Sequence, residues 1–288
     1  LSGGIDSSVT ASVVRQFTSS ALKTFSLRFA DQEFDEGGFQ QQMVKRLGTD
    51  HATITVSHRD IAEVFPQVVS FAEKPLLRTA PAPMFLLSKL VRDSGYKVVV
   101  TGEGSDEMLG GYDIFREAVV RAFIARHPHS GRRKEIIQSL YPWLQRKPAG
   151  APAFAQRFFS QALDAHDLAL SHRPRWQSAA AITRLLQEDV RREVEKFNVA
   201  DDFLDRMPSD AHSWHPLSRA QWLESETLLS GYLLSSQGDR MLMAHGVEGR
   251  FPFLDPHLIE KAAMFPPRYK VMGLDEKYVL KHAFEELI

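Results

Sequence analysis

Short apolar segments alternating with helical ones over roughly the first hundred residues restrict this chain more than any other feature. KTFSLRF (23–29), HATITV (51–56) and YKVVVTG (96–102) read as buried strands, the last with three consecutive valines. Asp35–Leu47, closed by Gly48, and then Asp60–Phe71 and Pro81–Asp93 read as helices between them. Strands separated by helices of this length cannot be joined as hairpins and must run parallel. The expectation is an α/β fold, an open parallel sheet with helices on both faces. Ligands of such sheets bind at the carboxyl ends of the strands.

Two polar segments are expected at those ends. The chain opens LSGGIDSSVTASVV, where Ile5, Val9, Val13 and Val14 share a face at helical spacing. Ser2-Gly3-Gly4 runs directly into that helix. Successive glycines bare the backbone N–H groups, and a helix N-terminus adds unpaired donors and a positive dipole end, which together make an anion site. An ordinary turn followed by Asp6 as a first-turn acid fits this stretch as well. The second segment, TGEGSDEMLGGY (101–112), packs three acids and four glycines into twelve residues just past a strand. Grouped carboxylates beside an anion loop suit a Mg²⁺–polyphosphate site, with Asp6 and Asp106 as the natural pair. Ser105 as the N-cap of a helix with acids in its first turn is the plainer alternative.

From about Phe115 to Ala220 helix formers, aromatics and arginines dominate and no strand pattern appears, which reads as a helical insertion. The expected organisation is therefore a core over 1–114, an insertion over 115–220, and a C-terminal part over 221–288 that begins with a long helix, Gln221–Gly238, and ends with another from about Asp275. With no cysteine in 288 residues, a disulfide framework and a cysteine metal site are both excluded. A net charge of −1 argues against a general grip on nucleic acid, and Arg132-Arg133-Lys134 reads as a solvated face. No segment is apolar and long enough to span a bilayer. His127, His129, His212 and His215 are loop histidines, read as surface residues rather than ligands. The chain starts inside a motif, without the strand expected to lead into the glycine turn, so it is read as a fragment.

SGGIDSS resembles the pyrophosphatase loop of N-type ATP pyrophosphatases, which have no lysine of the GxxxxGK[ST] kind. SGGIDSS, TGEGSDEMLGGY, GVEGRFPFLD and DEKYVLKHAF, in this order, resemble the synthetase domain of glutamine-hydrolysing asparagine synthetases. The helical stretch 115–220 carries none of the resemblance. It implies an adenine nucleotide alpha-hydrolase-like fold and a reaction in which ATP adenylates a carboxylate, most simply aspartate, and ammonia displaces AMP. It also implies that Leu1, Ser2, Gly3, Gly4, Asp6, Ser7 and Ser8 hold adenosine and pyrophosphate. Leu27, Thr101 and Gly102 would border adenine and ribose, and Asp6 and Asp106 would hold Mg²⁺. Lys277 matches the family lysine in KYVLK and would stabilise departing pyrophosphate. Glu103 stands where related β-lactam synthetases carry a tyrosine; a carboxylate there suits proton removal from an ammonia-derived nucleophile.

Arg250 and Glu248 are left between a substrate contact and a structural role, with Phe251, Phe253 and Leu254 read as core. An amino-terminal glutaminase supplying ammonia is expected upstream, a cytoplasmic location is expected from the lack of cysteine and the near-neutral charge, and a homodimer is left open. LRTAPAPM (77–84) is the least family-like part of the sheet region, which leaves the acceptor carboxylate open. Two rivals from other classes are a PP-loop enzyme acting on tRNA and a non-catalytic nucleotide-binding module. The first would call for cysteines and a basic surface; the second would be expected to lack Glu103, Asp106 or Lys277.

Overall fold

The structure, a computed structural model, describes residues 1–19, 21–31, 36–142 and 151–288. They divide into two compact units, one of Leu1–Met108, Ser225–Phe265 and Val279–Ile288, the other of Leu109–Glu224 and Pro266–Tyr278.

The first unit is the α/β fold. Helix α1 (Ile5–Phe17) leads to strand β1 (Lys23–Phe29), helix α2 (Gly37–Leu47), strand β2 (Asp50–Val56), helices α3 (His58–Ala72) and α4 (Pro81–Asp93), and strand β3 (Val98–Val100). The expected start of α2 at Asp35 lies outside the described residues. Its end is set by Gly48, left-handed at φ 60°. Helix α3 begins two residues before the expected Asp60, because the Ser57 hydroxyl and the Asp60 carboxylate cap its first turn reciprocally. Strands β1 and β2 pair in parallel over seven residues, Leu27 opposite Ile54.

A fourth strand, β4 (Glu248–Arg250), pairs in parallel with β3 and was not legible as a strand. Glu-Gly-Arg has neither the length nor the β-branched content that marks one. Its shortness also explains why YKVVVTG yields only three residues of strand, since a ladder lasts as long as its partner.

Among the described residues the strands form two small parallel sheets, β1–β2 and β3–β4, rather than one continuous ladder, and helices pack on both faces of β1. Phe25 of β1 packs with Leu87, Leu90 and Val91 of α4, together with Leu242, Val247 and Val99. Side chains alternate along a strand, so Arg28 points to the other face. There its guanidinium lies 2.5 Å from where a Cβ on Gly37 would sit, at the start of α2. A second apolar cluster joins Val68 and Ala72 of α3 to Ala82 and Phe85 of α4 and to Met241. The segment expected as one long helix from Gln221 changes winding: Pro216–Glu224 is α-helical and Ser225–Asp239 is π-helical. Ser230 and Ser235 donate their hydroxyls to carbonyls four residues back, competing with the α-helical N–H donors.

The second unit is helical. After helix α5 (Ser105–Leu109), helix α6 (Asp113–Ala125) packs Phe115 and Ala118 against Leu217, Ala220 and Val271. Val271 and Leu274 are packed among the residues of this unit, so Pro266–Tyr278 groups with it although it falls in the expected C-terminal part. The unit buries charge in matched sets. Glu117, fully buried, accepts from both terminal nitrogens of Arg175, at 2.5 and 2.8 Å, and from the Tyr141 hydroxyl. Arg121, equally buried, donates to the carbonyls of Phe159, Gln161, Ala162 and Leu170. No helix among the described residues is long and apolar enough to cross a membrane.

Candidate active site

Helix α1 starts at Ile5 with Gly4 as N-cap and no side chain capping it. The first-turn N–H donors therefore lack the serine or aspartate oxygen that commonly satisfies them. The preceding loop is ordered by its own hydroxyls. Ser2 N–H donates to Ser7 Oγ (3.0 Å), Gly4 N–H donates to Ser2 Oγ (3.1 Å), and the Ser7 and Ser8 hydroxyls donate to Gly4 O (3.1 and 2.9 Å). Leu1 lies alongside β1, its amino nitrogen donating to Phe25 O (2.5 Å) and its carbonyl accepting from Ser26 Oγ.

The segment after β3 meets this loop. Ser105, with no exposed surface, donates its hydroxyl to Asp6 Oδ1 at 2.8 Å across 99 residues of sequence. Gly102 lies so close to α1 that a Cβ there would sit 2.8 Å from Asp6 Cβ and 3.4 Å from Ser7 N. No side chain fits in that space. Asp106 follows Ser105 directly in the first turn of α5. Thr101 N–H continues the ladder by donating to Arg250 O (3.0 Å), while the Thr101 hydroxyl is buried with no hydrogen-bond partner among the described residues. Glu103 and Asp106 are both half-buried.

The GVEGRFPFLD segment joins them from the other side. Leu254 packs onto Gly104, its Cδ2 2.2 Å from where a Cβ would stand, and Phe253 is buried. Arg250 and Glu248 lie on β4 with exposed side chains that pair with each other, Nε to Oε1 at 2.8 Å. Three of the four motifs thus converge in the first unit, with Asp6, Thr101, Gly102, Glu103 and Asp106 on adjoining segments. Leu27 lies on β1, where its carbonyl accepts from Gln40 Nε2 (3.0 Å). Two residues on, at the carboxyl ends of β1 and β2, a cavity of about 590 Å³ is lined by Phe29, Ala30, Val56, Ser57 and Ile61, among others. Lys277 belongs to the second unit; it is buried and left-handed at φ 50°, immediately before the helix Tyr278–Ala283.

Ser105 and Gln40 are the residues that sequence reading did not single out for the site. Ser105 was visible only as a helix cap, and Gln40 only as one of three successive glutamines. Among the described residues no three His, Asp or Glu side chains gather as a ready-made metal cage. His215 uses Nδ1 to accept the N–H of Leu217, 3.2 Å away.

Comparison with known proteins bears on the same segments. An asparagine synthetase (glutamine-hydrolysing) from Bacillus subtilis is 27% identical over 298 residues, covering all of this chain and 43% of that protein. An amidase, chyE, from Penicillium rubens is 29% identical over 320 residues, covering all of this chain and 46% of its own length. An asparagine synthetase from Arabidopsis thaliana is 35% identical over a shorter stretch of 130 residues, 41% of this chain and 22% of that protein. The chain thus spans less than half the length of these curated relatives. The family model for asparagine synthase matches residues 1–288, so the chain belongs to the asparagine synthase family.

Proposed function

We propose that this chain carries the synthetase site of an enzyme that amidates a carboxylate at the expense of ATP. The observation that carries the reading is the Ser105–Asp6 hydrogen bond, which joins the glycine loop of α1 to the acidic segment after β3. An uncapped helix start beside fixed carboxylates is what a nucleotide cleaved between its α- and β-phosphates requires.

A substrate carboxylate oxygen attacks the α-phosphorus, the bond to the β-phosphate breaks, and pyrophosphate leaves an acyl-adenylate. Ammonia then adds to the acyl carbon and AMP departs. The backbone of Ser2, Gly3 and Gly4 and the hydroxyls of Ser7 and Ser8 hold the β- and γ-phosphates, with Leu1, Leu27, Thr101 and Gly102 around the nucleoside. The buried Thr101 hydroxyl has the unmet hydrogen-bonding capacity that a ribose hydroxyl would satisfy. Glu103 takes the proton that the ammonia nitrogen must lose before AMP is expelled.

Mg²⁺ suits this donor set. Asp6 offers a hard oxygen ligand held in place by Ser105, and Asp106 adds a second one residue along, which matches an ion bound by one or two carboxylates and phosphate oxygens. When bound it would neutralise the developing pyrophosphate.

Aspartate as acceptor is supported by the asparagine synthetases among the relatives. A different carboxylate is supported by the amidase-named relatives, which cover the whole chain at comparable identity. The unmatched half of those relatives leaves room for an ammonia-producing glutaminase in the same protein, and a cytoplasmic location accords with the family. The test is AMP and amide formation by the full-length protein with ATP, Mg²⁺ and ammonium across a panel of carboxylic acids, beside Glu103→Gln. Amide from aspartate alone, with the variant still releasing pyrophosphate but making little amide, is the expected result. Amide from another acid replaces the substrate, and no AMP with any acid refutes the reading.

A further inference from the structure

In a parallel ladder, donors from one strand recur every second residue and meet every second carbonyl of its neighbour. The amino nitrogen of Leu1 donates to Phe25 O, and a ladder continued in that register would bring the N–H of residue 3 to Leu27 O. The chain does not continue. It turns at Gly3, at φ 88°, and the Gly3 N–H has no hydrogen-bond partner among the described residues. Leu27 O is satisfied instead by Gln40 Nε2 at 3.0 Å.

Gln40 sits in the first turn of α2 and is 4% exposed, rare for an amide side chain in a surface helix. It touches the loop a second time through its backbone. A Cβ on Gly3 would lie 3.0 Å from Gln40 N and 2.9 Å from Phe39 Cβ. One residue therefore bonds the strand residue expected beside the adenosine and abuts the loop expected beneath the phosphates.

We propose that Gln40 is a positioning residue of the nucleotide site: its amide replaces the ladder donor that Gly3 withdraws, fixing the spacing between Leu27 and the glycine loop and leaving the Gly3 N–H for phosphate. The inference rests on the nucleotide reading of Leu1–Ser8 and Leu27. It says nothing of the acceptor, so the effects of changing Gln40 fall on ATP.

The test uses full-length protein and measures ATP·Mg²⁺ binding by equilibrium titration, KM for ATP and for the acceptor, and thermal melting. Gln40→Met keeps the length and apolar stem but cannot donate. It is expected to weaken ATP binding and raise KM for ATP roughly tenfold, the scale of one unsatisfied buried carbonyl. The expected kcat and acceptor KM stay within about twofold of wild type. Gln40→Glu faces the carbonyl with a carboxylate at neutral pH and with a donor once protonated. Its ATP affinity relative to wild type is therefore expected to improve from pH 8 to pH 5.5, a dependence that a packing role alone would not produce. Asp6→Asn serves as the loop control. Wild-type ATP affinity in Gln40→Met together with weakened binding in Asp6→Asn overturns the positioning role and keeps the nucleotide site. Equal loss on ATP and acceptor, tracking a lowered melting point, also overturns it. Wild-type affinity in both variants, or no ATP binding by the wild type, removes the nucleotide assignment and this inference with it.

Discussion

Replacing Ser105 by alanine deletes one oxygen, and what that costs separates a support for Asp6 from a piece of packing. The Ser105 hydroxyl is fully buried and donates to a carboxylate, the stronger kind of hydrogen bond, worth about 1.5–3 kcal/mol. Asp6 is only half-buried, so water can re-solvate the oxygen that loses its donor, and the net stability loss belongs at or just under the low end of that range, about 1–1.5 kcal/mol. For a chain of 288 residues that corresponds to a fall in Tm of roughly 2–6 °C. The catalytic loss is expected to be larger. A carboxylate free to rotate can displace a ligand by an ångström, and displacement on that scale costs on the order of a hundredfold in rate. Pyrophosphate release by the full-length protein, titrated against ATP at several Mg²⁺ concentrations, reads one effect, and urea unfolding reads the other. A Ser105→Ala protein that is strongly destabilised yet retains wild-type kinetics would refute the reasoning and reduce Ser105 to a filler at the start of α5.

Two further outcomes concern the helical unit. Glu117→Leu takes their partner from the Tyr141 hydroxyl and from Arg175, whose side chain is 39% exposed and can be re-solvated, so the expected cost in urea unfolding is about 1–3 kcal/mol. Glu117→Leu with Arg175→Met should recover most of that loss, and a double variant as unstable as the single would show that the charges were not the cause. Lys270 is buried with the Gln221 side-chain oxygen 3.1 Å from Nζ, and burial pushes its pKa from 10.5 down to about 8. Below pH 8 folded and unfolded chains both hold the proton, and the full cost of burying the ammonium is present, about 3 kcal/mol at most. Between about pH 8 and 10.5 the unfolded chain holds the proton that the folded chain releases, so stability rises with pH there. Lys270→Met should thus be more stable than wild type at pH 7, by about 2 kcal/mol once the lost bond to Gln221 is subtracted, with a smaller gap at pH 9.5. A gap that does not change with pH excludes the buried charge as its source.

The parts of the fold that were legible are those where one local rule sufficed. Gly48 ends α2 because a left-handed residue closes a helix, and Lys23–Phe29 is a strand because its apolar run matches a buried ladder. What escaped was set by partners distant in sequence. Glu248–Arg250 is a strand only because Val98–Val100 lies beside it, and nothing in Glu-Gly-Arg announces this. Site residues divide the same way. Asp6 and Asp106 stood out because acids beside glycine loops at expected strand ends suit a Mg²⁺–polyphosphate site, and Gly102 because the family resemblance points to it. Ser105 and Gln40 are common residues whose importance lies in a bond to a position 99 or 13 residues away. The π-helical winding of Ser225–Asp239 had no periodic signature either, since its apolar residues fit an α-helix as well.

Asp6 raises an electrostatic difficulty whose resolution can be measured. It lies in the first turn of α1, where the helix start without a side-chain cap and the dipole favour one anion, and the reading adds a polyphosphate to the same terminus. Two anions there repel each other unless a cation lies between them, in which case the same carboxylate attracts what it otherwise excludes. The sign of the Asp6 contribution to ATP affinity should therefore reverse with Mg²⁺. Asp6→Asn preserves an oxygen for Ser105 but removes the charge. In chelator, the variant should bind free ATP several-fold more tightly than wild type, since a like charge within a few ångströms of phosphate costs about 1 kcal/mol at an exposed site. In millimolar Mg²⁺ it should bind ATP more weakly, by roughly tenfold or more, as one of two carboxylate ligands is lost. Equilibrium titration of the two proteins in both conditions gives four affinities whose ratios should cross. If Asn weakens binding equally with and without the cation, Asp6 acts on the loop and not on charge, and the pairing of Asp6 with Asp106 as metal ligands loses its support.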